Sequence, residues 1–309
     1  MPKPTFMMMV GLPYSGKSTH ADFLAVDSDD DIIIHSSDAI RAELFGDVQN
    51  QEHNAKVFEV LHQRICDDLR AGKSVIYDAT NLSYKRRINM LERLSKIDCK
   101  KLCFFMATPF DEIIERSKHR DRVVPYEVLE RMYKSIWIPN AYEGWDEVNI
   151  VYPNSFSGFK LRSVPDLLAR LRGISHENPH HTLSIGDHCI ATQRQVWQMN
   201  GCTRELEIAA LLHDIGKEFT KGFVNSKGEP SEIAHYYEHH HVSAYDSLFY
   251  MKNDIDRLHV AAVIQWHMRP FEIEKSPNPD HLYKKFKALV GERIYNDVMA
   301  LHTADLAAH

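Results

Sequence analysis

Two groups of residues in this chain have the types and spacing to handle phosphate. Residues 11 to 19 read Gly-Leu-Pro-Tyr-Ser-Gly-Lys-Ser-Thr, which satisfies G-x-x-x-x-G-K-[ST] directly after the apolar run TFMMMV and before a helical stretch. Gly11 and Gly16 let backbone N–H groups turn inward around a phosphate, with Ser15 and Thr19 in the same cradle. Lys17 reaches the terminal phosphates of ATP, Ser18 offers its hydroxyl to Mg2+, and the helix amino end adds partial positive charge. The second group is His188, the pair His213-Asp214, the triplet His239 to His241, His267 and Asp305. Imidazole and carboxylate donors suit a divalent transition metal such as Mn2+, Fe2+, Ni2+ or Co2+, and a metal-bound water is a usable nucleophile near neutral pH.

The elements around the first group alternate. DDDIIIHSSDAIRAEL reads as strand, turn and helix, with Ser36, Ser37 or Asp38 as possible caps. Asp38 then lies beyond the carboxyl end of a strand, where open α/β sheets place ligands. The plain alternatives are that Asp38 only caps the helix and that Arg41 is a solvated helix residue. SVIYDATN places Asp78 at the end of another strand, suited to the Mg2+ shell or a phosphate contact, with Thr80 and Asn81 on the same loop. KLCFFMAT and VNIVYP continue the alternation, so an α/β domain with a parallel sheet and crossover helices is expected.

After Tyr152 the pattern changes. PNSFSGFK and GISHENPHH are breaks around a short helix at 165 to 172, giving an expected division into 1–155, a linker at 156–177, and an all-α domain at 178–309 with no further strands. Ile185, Cys189, Thr192 and Val196 share a helix face with His188, and Ile294, Val298, Leu301 and Asp305 lie along one stripe. A carboxylate on a core-facing stripe is costly unless something pairs with it, and a metal would resolve that cost. Asp305 is close to the end of the sequence, where chains fray unless held. His213 and Asp214 end the helix ELEIAALL just before Gly216, read as a helix stop. A core histidine such as His267 is ordinarily explained by packing alone, and His239, His240 and His241 differ only in helix phase. His180, His181 and His302 read as surface or linker residues.

The stretch KHRDRVVPYEVLERMYKS contains His119-Arg120-Asp121, the letters of a protein-kinase catalytic loop. The fifth residue after Asp121 is Tyr126 rather than asparagine, and no DFG follows, so the match is a coincidence. What the stretch supplies is Arg116, Lys118, Arg120 and Arg122 ahead of a helix begun at Pro125, the composition of a lid that neutralises charge on a transferred phosphoryl group.

At 309 residues the chain exceeds the usual size of a single core, which favours two domains. Its 44% hydrophobic and 26% charged residues are ordinary for a soluble protein, and no apolar run approaches the roughly 20 residues of a membrane span. Five cysteines without a CxxC pair argue against a disulfide framework and for a reducing, cytoplasmic setting. A net charge of -6 argues against bulk attraction to polyanions, so nucleic-acid contact needs a local basic patch, for which Lys85, Arg86 and Arg87 are candidates alongside a plain solvated face.

Gly11 to Thr19, SSDAIR, DATN and VPYEVLERMYKS together resemble the kinase domain of phage-type polynucleotide 5'-hydroxyl kinases, over residues 5 to 150. That resemblance implies Asp38 as the general base toward a 5'-hydroxyl, Arg41 as a phosphate contact, Lys17 and Ser18 at ATP and Mg2+, and Asp78 on the nucleotide side. His119 stands where the family has its lid arginine, leaving Arg116, Arg120 or Arg122 as substitutes. GDHCIAT, ALLHDIGK, YYEHHHVSA and LHTADLAAH resemble the HD phosphohydrolase superfamily in order and context. This implies His188, His213, Asp214 and Asp305 at a first metal, His239 and His267 at a second, Asp214 orienting water, and Lys217 on the substrate phosphate. Jointly the resemblances imply an enzyme that heals RNA or DNA ends. The competing expectations are kinase and hydrolase activities on small molecules, or one half serving only as a ligand sensor.

Overall fold

Thr5–Val10 forms β1, whose residues from Phe6 onward are buried on both faces, as a central parallel strand requires. The computed structural model describes residues 3–28, 31–48, 52–120, 123–153, 161–179 and 182–308. Two compact units divide the chain, one made of residues 1–129 and 139–159, the other of 130–138 and 160–309.

In the first unit β1 is followed by α1 (Lys17–Val26), β2 (Ile33–Ser36), α2 (Ser37–Phe45), α3 (Asn54–Arg70), β3 (Val75–Asp78), α4 (Tyr84–Arg93), β4 (Lys100–Met106), α5 (Phe110–Ser117), α6 (Tyr126–Lys134) and β5 (Glu147–Val151). The strands form one parallel sheet in the order β2-β3-β1-β4-β5. Met9 and Ser36 both pair with Asp78, so the loops after β1, β2 and β3 leave the sheet at a common carboxyl edge. Met7, Met9, Ile76 and Met106 form a core cluster with Ala21 of α1. Arg87 is fully buried, its guanidinium bonded to both Glu143 carboxylate oxygens at 2.8 and 2.6 Å and to the Asn81 and Leu82 carbonyls. It therefore holds the fold together and does not belong to a basic surface patch.

The second unit contains α7 (Val164–Arg172), α8 (Ile185–Trp197), α9 (Arg204–Leu212), α10 (Lys217–Thr220), β6 (Gly222–Val224), β7 (Pro230–His235), α11 (His239–Ser247), α12 (Arg257–Trp266), α13 (Arg269–Glu274), α14 (Pro279–Val290) and α15 (Glu292–Leu306). The expectation of no further strands is corrected by the antiparallel β6–β7 hairpin. β6 has three residues, too few to show a period, the six of β7 are mostly exposed or half-buried and carry no apolar alternation, and Asn225 makes the turn by accepting the Lys227 and Glu229 N–H groups. Helix α7 falls in the stretch expected to be linker and instead buries Leu167 and Leu171 as part of this unit. No helix among the described residues is long and apolar enough to cross a membrane.

Residues 130–138 belong to the second unit because their buried polar groups find partners there. The Tyr133 hydroxyl donates to Asp246 Oδ1 at 2.6 Å, and its ring meets Phe219 and Tyr245 edge-on. Burial, with Asp246 beside it, holds the Tyr133 phenol well above its usual pKa. The Gln265 side chain accepts from Ile138 N–H and donates to the Ile136 carbonyl, at 3.1 and 3.2 Å. Helix α6 thus begins in one unit and finishes in the other.

Candidate active sites

The loop after β1 has the geometry of a phosphate cradle. A Cβ on Gly11 would collide with Ser15 Oγ and Met106 Cβ, so only glycine lets the chain turn there. Gly16 sits at φ 95° as the amino cap of α1, another conformation that favours glycine. Ser15 is 2% exposed, and its Oγ has no hydrogen-bond partner among the described residues, a donor suited to an incoming anion. Lys17 Nζ donates to the Leu12 carbonyl at 2.7 Å, and burial pulls its pKa down to about 8 against the opposing pull of Asp78 and Asp38. Ser18 Oγ donates to Asp78 Oδ2 at 2.7 Å, which places both proposed Mg2+ groups together, and Thr19 follows on the first turn of α1. Tyr14 is the unexpected member. It holds a left-handed backbone at φ 64°, its hydroxyl accepts from Val124 N–H at 2.6 Å, and its carbonyl accepts from Arg116.

Asp38 is not the cap of α2. Ser36 takes that role, accepting from the N–H groups of Asp38 and Ala39. The Asp38 carboxylate, 48% exposed, instead receives Arg41 Nη1 at 2.6 Å. Arg41 is buried rather than solvated, and its other terminal nitrogen donates to Asn54 Oδ1 at 2.9 Å. Of the lid candidates, Arg116 is occupied by Glu112 at 2.5 Å and the Tyr14 carbonyl, Arg120 is exposed, and Arg122 lies outside the described residues, as do His180 and His181.

In the second unit six residues converge from separate elements. His188 comes from α8, His213 and Asp214 from the end of α9, His239 from the start of α11, His267 from the end of α12, and Asp305 from α15. His188 Nε2 lies 2.9 Å from Asp305 Oδ1 and 3.4 Å from Asp214 Oδ2, and His213 Nε2 lies 3.4 Å from the same Asp214 oxygen. The other Asp214 oxygen faces His239 Nε2 at 3.2 Å and His267 Nε2 at 3.8 Å. Asp214 therefore stands between two ligand groups, His188-His213-Asp305 and His239-His267. Gly216 permits this closeness: a Cβ there would overlap the His239 carbonyl and Ser243 N. Its φ of −69° shows that close approach, and no left-handed helix stop, is what this glycine provides.

The donor set fits a metal. Nδ1 of His213, His239 and His267 each donates to a backbone carbonyl, of Ala210, Tyr236 and Ile264, at 2.8, 2.8 and 2.6 Å. This fixes the tautomer and aims an Nε2 lone pair from each ring into the cluster. His239 Nε2 and His267 Nε2 face each other at 3.2 Å, a spacing that a shared proton or a bound cation satisfies. Burial, then the neighbouring His239 and His213, pushes the His267 pKa down to about 3, so its lone pair stays available. Burial alone would raise Asp214, but His213, Lys217 and His239 hold it well below the usual carboxylate range. Burial likewise opposes ionisation of Asp305, and His188 and His213 overcome it.

Lys217 Nζ lies 2.6 Å from Asp214 Oδ2 and 3.5 Å from His176 Nε2, over the ring of Tyr236. His176, fully buried, was concealed in a segment that reads as a break, and Tyr236 shows no spacing signal. His302 is also buried, bonding Glu274 at 2.9 Å instead of lying on the surface.

Glu238, His240 and His241 form a third close group. Gln265 Nε2 donates to His241 Nδ1 at 2.8 Å, and Gln265 cannot flip without losing Ile136 and Ile138. His241 Nε2 must then carry the proton and point it at Glu238, 3.1 Å away, so this group is an ion-pair-like contact and not a metal site.

Comparison with known proteins finds a separate family for each half of the chain. Residues 6–137 match the AAA domain family and residues 181–307 match the HD domain family. No curated protein matches the chain. Among solved structures, a Chloroflexus aurantiacus protein provisionally described as a kinase is 20% identical, with 51% of this chain and 89% of that chain covered and a TM-score of 0.43. A chain of the Pnkp1/Rnl/Hen1 RNA repair complex is 20% identical over 44% of each chain, with a TM-score of 0.38. A gluconokinase from Sinorhizobium meliloti 1021 is 17% identical, covering 50% of this chain and 86% of that one, with a TM-score of 0.36.

Proposed function

We propose that this chain, a P-loop kinase domain fused to an HD domain, heals nucleic-acid ends: it phosphorylates 5'-hydroxyls with ATP and removes 2',3'-cyclic or terminal phosphates. The observation that carries the kinase half is the Asp38–Arg41 pair after β2, at the sheet edge that also bears the P-loop. Asp38, relieved of capping by Ser36, accepts the proton of the attacking hydroxyl as its oxygen bonds to the γ-phosphorus and ADP departs. Arg41, fixed by Asn54, orients the carboxylate and has its remaining capacity for a substrate phosphate. Lys17 and the loop amides take the charge of the nucleotide tail, and Arg120 is the exposed lid cation.

In the HD half, His188, His213, Asp214 and Asp305 would hold one divalent ion, and His239 and His267 with Asp214 a second. Such ions supply an activated water and polarise the phosphoryl oxygens. The chain's own groups prepare that chemistry: three backbone carbonyls fix the imidazole tautomers, and Lys217 balances the charge of Asp214. One water attack on a 2',3'-cyclic phosphate breaks one P–O bond and leaves a phosphomonoester beside one freed hydroxyl; a second attack on a monoester, cyclic-derived or terminal, releases inorganic phosphate and leaves the alcohol.

The test is a 5'-hydroxyl, 2',3'-cyclic-phosphate oligonucleotide incubated with ATP and a series of metals, with both ends analysed. A gained 5'-phosphate and a freed cyclic end are expected. The net charge of -6 favours a second reading, with a nucleoside or metabolite as phosphoryl acceptor and a nucleotide as ester. Labelled γ-phosphate transferred to a free nucleoside but never to the oligonucleotide would replace the first reading with this one.

A further inference from the structure

Helix α14 carries PDHLYKKFKALV between an Asn278 amino cap and Gly291, the single residue that turns the chain into α15. Phe286 and Val290 face inward, Phe286 packing on Trp266 and Tyr295, which turns Lys284 and Lys285 outward. A cleft of about 340 Å³ opens there, lined by Asp280, Tyr283, Lys284, Lys287 and Tyr295. Lys284 and Lys287 share the cleft with Asp280, while Glu292 and Glu274 stand at its rim against Lys287 and Tyr283. Neither Lys284 nor Lys285 makes an ion pair with any described residue, although Asp280 is one turn from Lys284. Lys287 reaches Glu292 at 2.8 Å, but both ends of that pair are exposed, which makes it weak and exchangeable. Like charges this close on one helix repel one another mildly, and an anionic strand relieves that repulsion.

The aromatic groups give the cleft a second property. Tyr283 and Tyr295 flank the lysines, and Lys287 Nζ already sits 5.6 Å above the Tyr295 ring, so flat π-faces alternate with cations. Stacking faces interleaved with ammonium groups are how proteins hold unpaired nucleic acid without reading its sequence. The cleft shares helix α15 with the His/Asp cluster. Tyr295 and Asp305 lie on the same helix, about ten residues apart, hence about 15 Å along the axis and about 80° around it.

We propose that the α14–α15 cleft binds single-stranded nucleic acid, on the helix pair whose second member carries Asp305. This rests on the end-healing reading and deepens it, because it gives a polymeric substrate a place where exposed lysines and aromatic faces alternate.

The experiment is fluorescence anisotropy of a labelled single-stranded oligonucleotide with the full chain across a salt series. Lys284→Glu/Lys287→Glu should weaken binding at least about tenfold and lower the slope of log K against log salt by about 1.4, the loss of two phosphate contacts. Lys284→Ala/Lys287→Ala should lower the slope by the same amount with a smaller loss of affinity, and Tyr283→Ala should weaken binding with the slope unchanged. Hydrolysis of a small chromogenic phosphodiester serves as the reference for an intact cluster. If wild type binds and processes the oligonucleotide and the variants match it, the cleft proposal is overturned and the end-healing reading stands. If wild type hydrolyses the small ester yet neither binds nor processes the oligonucleotide, the end-healing reading falls and the cleft falls with it.

Discussion

The phosphate loop and the histidine cluster solve one problem by opposite constructions. Gly11 to Thr19 builds its site from one contiguous loop, using main-chain N–H groups and glycines whose missing side chains make room. The cluster builds from side chains brought together from α8, α9, α11, α12 and α15. A contiguous site depends on local backbone geometry, whereas an assembled site depends on the packing of every helix that contributes.

The largest effects expected from this difference come from reciprocal substitutions. Lys17→Ala should reduce phosphoryl transfer by roughly 10²–10³-fold while leaving phosphoester hydrolysis within about twofold, and Asp214→Asn should do the reverse. Loss of both activities in folded Asp214→Asn protein would break the comparison.

Metal should stabilise only the assembled site. At about a hundred times its dissociation constant, an ion binding the cluster adds about 2.7 kcal/mol, or roughly 5–10 °C in the melting of the second unit. A chelator should reverse this by calorimetry, and in His239→Ala protein the shift should shrink. An equal shift in that variant would remove His239 from the ligand set.

A smaller effect is expected from Tyr133→Phe, which leaves the Asp246 carboxylate short of a donor and should cost about 1–3 kcal/mol in urea unfolding. The loss should appear in the second unit, although Tyr133 lies in the stretch whose sequence resembles a kinase. Loss confined to the first unit would contradict the division at residue 130.

The smallest effect concerns pH. Folded Lys17 has its pKa lowered from 10.5 to about 8, and the protonated form is the one that holds phosphate. ATP affinity should therefore fall by up to about tenfold per pH unit above about 8, or about 1.4 kcal/mol. Between about 8 and 10.5 the unfolded chain binds more protons than the folded one, so nucleotide-free protein should gain stability from this group as pH rises. Affinity and stability moving in the same direction across that window would exclude Lys17 as the controlling group.

The sheet and the phosphate loop were readable from the sequence because their signals are local. Buried apolar runs end in Asp78 or in the glycine loop, and the motif is contiguous. The candidate ligands were readable by type and helix phase, since His188 and Asp305 share stripes with core residues. Partners formed across long sequence separations left no such trace. Gln265 locking His241, Asn54 fixing Arg41, and His176 beside Lys217 each depend on tertiary approach. The β6–β7 hairpin escaped because the three residues of β6 cannot show alternation and PSEIAH of β7, mostly exposed or half-buried, has no apolar face to alternate. Tyr14 escaped for another reason: a left-handed backbone at a tyrosine, which costs about 1–2 kcal/mol, has no marker in residue type.

Because α6 changes units at residue 130 and the chain returns at 139 before leaving again at 160, the two modules are threaded through one another in sequence. A gene fragment ending at 155 carries away a piece of the hydrolase, and one beginning at 178 lacks it. No single cut therefore separates the two modules into complete cassettes.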